Sequence, residues 1–85
     1  MRLQVRGDVE WRNVDGEIIV LDLGSSTYFS LNRTAAPLWR MLVEGATEQE
    51  LVEALQGAHD LPSETAARDV AALVDELRTH DLLAS

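Results

Sequence analysis

Apolar residues in the first third of the chain recur with the period of strands, and those in the remainder recur with the period of helices. Val9–Val14 (VEWRNV) alternates imperfectly and is followed by Asp15-Gly16, a hairpin signal, because glycine adopts positive φ at no steric cost. Glu17–Leu23 (EIIVLDL) is rich in β-branched residues and apolar on both faces until Asp22, which suits a central strand. The small residues Gly24, Ser25 and Ser26 form the next turn and lead into Thr27–Leu31 (TYFSL). There Phe29 and Leu31 point to one face, and Tyr28 and Ser30 to the other. Turns this short imply an antiparallel meander with the third strand at an edge.

The period changes after Asn32. Leu38, Trp39, Leu42 and Val43 predict a first helix over about 33–44, ended by Gly45. Asn32 and Thr34 are both candidate N-caps; Pro37 favours Thr34, because its ring then falls in the first turn, where a missing N–H costs little. Thr47-Glu48-Gln49-Glu50 is a capping box and opens a second helix over about 48–56, burying Leu51, Val52 and Leu55. The stretch from Gly57 to Pro62 reads as a loop. Ser63 is placed to cap a third helix over about 64–80, whose apolar stripe is Ala66, Val70, Leu73, Val74 and Leu77. Leu82 and Leu83 close the C-terminal end. The order βββααα predicts one α+β domain over 1–85, with three strands over about 9–14, 17–23 and 27–31 and three helices packed on one face of the antiparallel sheet.

Length and composition narrow the function. With 85 residues there is room for one core and little room for a deep catalytic cavity. Cysteine is absent, which removes disulfides and thiolate metal sites. No apolar run approaches membrane-spanning length and the N-terminus lacks a signal-peptide core, so a cytoplasmic location without membrane attachment is expected. Seven basic residues, all arginine, stand against fifteen acidic ones, a net charge of −8. That balance repels nucleic acid and favours a basic or neutral partner.

Little in the sequence converges on catalysis. His59 and His80 each precede an aspartate, Asp60 and Asp81, one in a loop and one at a helix end, with no ligand spacing around them. Ser25, Ser26, Ser30 and Ser63 suit turns and caps and lie in no nucleophile context. Asp22–Ser26 (DLGSS) has one glycine and no following lysine, so it is no phosphate loop. Glu44, Glu48, Glu50 and Glu53 read as a solvated helix face. No enzyme activity, catalytic residue, metal or cofactor is expected. Trp39 belongs to the core stripe of the first helix, whereas Trp11 suits either the core or the outer side of the sheet.

The third strand is the unusual element. Edge strands are normally blunted by lysine, proline or a bulge. Thr27–Leu31 carries no charge and no proline, and holds two adjacent aromatic residues. Either a helix or the N-terminal segment 1–7 covers it, or it is kept open for an extended peptide that adds as a fourth strand.

The ordered set of Val20-Leu21-Asp22, "YFSLN", a helix with Leu38-Trp39, "G-x-T-x-x-E-L" from Gly45 and a last helix with Asp69, Val70, Leu73 and Leu77 before Leu82-Leu83 resembles the PqqD-like peptide-binding domains, or RiPP recognition elements. The resemblance runs from about Val9 to Leu83 and is nearest the stand-alone form of bacterial lasso-peptide clusters. It implies a winged-helix-like fold and a non-catalytic, monomeric adaptor. Such an adaptor binds the leader of a ribosomally made precursor peptide and presents it transiently to a leader peptidase and a cyclase. Carried over by position, Ser26, Thr27, Tyr28, Phe29, Ser30 and Leu31 pair with the leader. Ala67, Val70, Ala71 and Val74 line the helix side of the groove, although Val70 and Val74 read equally well as core. Asp69, Asp75 and Glu76 are placed to meet basic leader residues. Rival readings are an adaptor of another pathway, such as that of pyrroloquinoline quinone, an edge-paired homodimer, and a winged-helix nucleic-acid module. The last is opposed by the acidic third helix.

Overall fold

A computed structural model of the protein describes residues 2–22 and 26–84, and for Thr27 the backbone alone. Three strands are followed by three helices: β1 (Glu10–Val14), β2 (Glu17–Asp22), β3 (Thr27–Leu31), α1 (Ala36–Glu44), α2 (Glu48–His59) and α3 (Ser63–Thr79). The sheet order is β1-β2-β3, antiparallel throughout, so the expected α+β meander is the observed one. Asp15 and Gly16 both take positive φ, 52° and 85°, between the paired residues Val14 and Glu17. That is the twist-matched two-residue turn the sequence announces. Leu23, Gly24 and Ser25, expected to end β2 and open the next turn, lie outside the described residues.

Register assigns the two faces. Trp11 pairs with Val20, Val20 with Phe29, and Ile18 with Leu31, placing these residues on the inner face. Ile18, Val20 and Leu31 are buried there. The outer face carries Glu10, Arg12, Ile19, Leu21, Tyr28 and Ser30; Ile19 and Leu21 are half-buried, and Tyr28 is 71% exposed. The helices cover the inner face. Ala36, Leu38, Trp39 and Leu42 from α1 join Leu51 and Leu55 from α2 and the whole predicted α3 stripe of Ala66, Val70, Leu73, Val74 and Leu77 in one core. Trp11 resolves to the inner face, half-buried. Its ring meets the fully buried Trp39 edge-on, with centroids 6.3 Å apart and planes at 75°.

Three helix boundaries differ from the sequence reading, each through its end chemistry. Asn32 closes a turn before α1: its side-chain oxygen accepts from the Ala35 N–H at 3.0 Å and its carbonyl from Ala36 at 2.9 Å. The α-helix proper therefore starts at Ala36, with Pro37 in its first turn, and no side chain caps it at Ala35. Helix α2 runs through Gly57 to His59, because Asp60 adopts the left-handed conformation (φ 51°) and donates its N–H to the Gln56 carbonyl. A single helical glycine costs only about 1 kcal/mol. Ser63 is the first residue of α3 rather than its cap, since Pro62 precedes it and makes no side-chain bond.

The N-terminal segment is tied into the far side of the domain. Leu3 and Ala46 exchange both backbone hydrogen bonds, Val5 donates to Leu42, Arg6 donates to Leu82, and Ala84 donates to Gln4. Leu3 and Val5 are buried with Leu82 and Leu83. These bonds fill the backbone of the segment and hold it away from β3.

The capping box of α2 is complete: Thr47 Oγ1 accepts from the Glu50 N–H at 3.1 Å, and Glu50 Oε1 accepts from the Thr47 N–H at 2.8 Å. Thr47→Ala is expected to lower stability by about 1 kcal/mol, measured by urea denaturation at neutral pH. The Thr47 N–H, and secondarily Arg2 at 3.8 Å, hold the Glu50 carboxyl below its ordinary pKa. Because the folded value is the lower one, the Glu50 contribution is present at neutral pH and is lost as pH falls through that value. Glu50→Gln should therefore lose less stability than wild type between pH 7 and the acid side of the carboxylate range. Identical acid sensitivity in the two proteins would contradict this linkage.

Candidate functional site

The sheet has two edges, and they are treated differently. On β1, Glu10 and Arg12 are exposed charges of the kind that discourage pairing with another chain. On β3 the described side chains are uncharged, and β2 is its only partner among the described residues. In an antiparallel ladder the backbone groups of alternate residues point to opposite sides. The N–H and C=O groups of alternate residues in Thr27–Leu31 therefore face away from β2. Segment 2–7 does not cover them, because its own bonds run to Leu42, Ala46, Leu82 and Ala84.

Beside the open edge lies a cavity of about 380 Å³ between β3 and α3. Its floor is apolar: Leu31, Leu38, Leu55 and Leu73, all buried or nearly so, with Ala35 and Ala72. The strand-side rim is neutral, from Ser30, Asn32 and Thr34. The helix-side rim is acidic, from Asp69 and Glu76, both exposed. Among the described lining residues none is basic. Phe29, half-buried, forms the wall toward the start of β3. There His80, the residue that ends α3, packs on the Phe29 ring at 4.9 Å between centroids, with planes at 47°.

One arginine ties the sheet to the end of α3. Arg6 reaches Asp81 at 3.2 Å, Asp8 at 3.3 Å and Asp22 at 3.6 Å. Asp22 is the last residue of β2 and pairs with Thr27, while Asp81 follows His80 with a positive φ of 57°. A single guanidinium thus joins the sheet to the end of α3, next to the His80–Phe29 contact.

The expected strand residues lie where the sequence places them. Ser26, Tyr28 and Ser30 are exposed, Phe29 is half-buried and Leu31 is buried at the cavity floor. The helix side is corrected. Val70 and Val74 are 0% and 2% exposed and belong to the core, so they present nothing to a ligand. Ala67, Ala71 and Asp75 are exposed but outside the cavity, whereas Asp69 and Glu76 line it, with Ala72 and Leu73 between them. At 100° per residue the stripe that lines the cavity lies about 160° round α3 from the expected one, on the other side of the buried stripe. Leu38, Leu55, Ala72, Arg6 and His80 were not legible as site residues. Leu38 and Leu55 carry the ordinary core signal, and the other three become meaningful only once α3 is set against β3.

The arrangement offers backbone donors and acceptors in a row, an apolar recess and two carboxylates. Among the described residues no group of three or more His, Asp or Glu side chains could hold a metal ion, and no helix is long and apolar enough to cross a membrane.

Comparison with known proteins gives a consistent picture. The family model described as coenzyme PQQ synthesis protein D (PqqD) matches residues 17–83. No curated protein matches the sequence. Two solved structures are similar over nearly the whole length. One, TbiB1 in complex with the TbiA(beta) leader peptide, has a TM-score of 0.89 and 27% identity over 96% of this chain and 95% of its own. The other, a lasso peptide synthetase B1 complexed with the leader peptide, has a TM-score of 0.85 and 26% identity over 98% of each chain.

The three contacts of Arg6 differ in weight. Asp8 and Asp81 are largely solvated, with side chains 77% and 85% exposed, whereas the Asp22 side chain is 17% exposed. Arg6→Ala is expected to cost about 1–2 kcal/mol, since it strips a charged partner from a partly buried carboxylate. Asp8→Ala is expected to cost less than about 0.5 kcal/mol. Equal losses in urea denaturation would show that the Asp22 contact carries no special weight.

Proposed function

The chain belongs to the PqqD family, and from that premise we propose that it is a non-catalytic adaptor for a ribosomally made precursor peptide. The leader segment of the precursor adds to β3 as a fourth strand. Main-chain hydrogen bonds to Thr27–Leu31 hold it, and its alternate side chains enter the cavity between β3 and α3 or rest beside Tyr28 on the outer face. Phe29, Leu31, Ala72 and Leu73 contact the inward side chains, and Asp69 and Glu76 border them. The single observation that carries this reading is the edge of β3, uncharged and unpaired among the described residues, set against an apolar recess. The two similar structures support it, since both are complexes with leader peptides.

The adaptor's contribution is effective concentration. A leader held on the domain keeps its cleavage site and core near a leader peptidase and a cyclase without any chemistry by the adaptor itself. Capture at micromolar precursor needs about −8 kcal/mol. The protein acts in the cytoplasm as a monomer, its edge filled by leader rather than by a second copy. The family match alone fits an adaptor of coenzyme PQQ synthesis equally well; the similarity to a lasso peptide synthetase B1 complexed with the leader peptide favours the lasso-peptide pathway. The net charge of −8, with Glu64, Asp69, Asp75 and Glu76 on α3, opposes the nucleic-acid alternative.

Titrating the leader of the precursor encoded alongside this protein is expected to slow hydrogen exchange at alternate amides of residues 27–31, with β1 unaffected. Proline at Tyr28 and at Phe29, made singly, removes the outward N–H in one of the two proteins. That variant should stay folded and lose at least tenfold in affinity. Unchanged exchange along β3 at saturating leader would refute strand addition.

A further inference from the structure

The adaptor reading leaves open what kind of side chains the groove selects, and α3 carries that information. Along the cavity its residues run Asp69, Ala72, Leu73, Glu76: acid, small, apolar, acid. Helix α3 also bears Arg68 and Arg78, yet neither lines the cavity, so the charge facing the groove is of one sign. The two acids are exposed, and among the described residues neither is in an ion pair. They are available to a partner and cost nothing in desolvation until one arrives.

Resting on the strand-addition reading, we propose that the segment taken by this groove is basic–x–apolar–x–basic, with Lys or Arg flanking one apolar anchor on its inward face. The spacing follows from two lattices laid side by side. Asp69 and Glu76 lie about two helical turns apart, ~10.5 Å at 1.5 Å per residue. An extended chain returns a side chain to the same face every second residue, so inward positions lie ~6.7 Å or ~13.5 Å apart. A separation of ~6.7 Å leaves no inward position between the flanks. At ~13.5 Å one position remains, opposite Ala72 and Leu73 and above the recess floored by Leu31, Leu38 and Leu55. Long, flexible Lys and Arg side chains take up the difference from ~10.5 Å. The cavity of about 380 Å³ is open to a Leu- or Phe-sized anchor there. The carboxylates act as a filter more than as a source of affinity: an exposed pair is worth about one- to fivefold in binding, while a misplaced acidic flank meets two like charges.

The test selects phage-displayed random 15-residue peptides on the wild-type domain and on an Asp69→Lys/Glu76→Lys variant. Wild-type binders are expected to carry Lys or Arg four positions apart around an apolar residue. The variant is expected to keep the apolar residue and exchange the flanks for Asp or Glu. A synthetic wild-type binder should lose about two- to fivefold per charge in Asp69→Asn and Glu76→Gln, and should weaken as salt is raised. Binders that perturb the amides of residues 27–31 but show no basic excess, or the same flanks on both proteins, would overturn the pattern while leaving strand addition intact. Failure to recover any binder that touches those amides would overturn both.

Discussion

The backbone groups on the outer side of β3 are the constraint from which the rest follows. They stay satisfied only while water or another chain sits against them. Most proteins avoid this situation, and this one does so at β1, where charges guard the edge. At β3 the same hazard is left in place and bordered by a recess. An edge of five residues is weak glue, since a backbone hydrogen bond exchanged with water nets only about 0.5–1.5 kcal/mol. Association itself costs several kcal/mol. Under the proposed strand addition, the ladder would set direction and register, and the apolar floor of Leu31, Leu38, Leu55 and Leu73 would supply much of the remaining affinity, at about 1.5–3 kcal/mol per buried anchor.

For that division to work, α3 must stand at a set distance from β3, and several features that look incidental serve it. The α3 stripe locks the helix to the core through Val70, Val74 and Leu77. The N-terminal segment runs between the α1–α2 junction and the C-terminal tail, bonded to both. From that segment Arg6 reaches Asp22 on β2 and Asp81 after α3, so one side chain ties the end of β2 to the end of the last helix. His80, just before Asp81, packs on Phe29.

Much of the architecture was legible because its signals are local. Asp15-Gly16 allows little but a tight hairpin, the double-faced apolar run of β2 demands neighbours on both sides, and Thr47 with Glu50 starts a helix wherever the pair is placed. The boundaries that moved depend on weaker local terms. Asn32 captures the Ala35 N–H and delays α1, while Asp60 accepts a left-handed conformation and lets α2 pass Gly57. Trp11 was ambiguous because a residue on an edge strand is assigned to a face only by its partner, here Val20 in register and Trp39 across the core.

By itself, then, the chain's pattern of residues determined the order of elements, the edge position of β3 and the absence of blunting charges there, since each depends on neighbours a few positions away. The tertiary structure decided which face of α3 meets the groove. Helical periodicity identifies a buried stripe but leaves the exposed stripe beside it equivalent on either side, and only the packing of α3 against β3 and α2 separates Asp69, Ala72 and Glu76 from Ala67, Ala71 and Asp75. It also decided the roles of Arg6 and His80, whose partners lie far away along the chain and come together only when the sheet and the last helix close on one another.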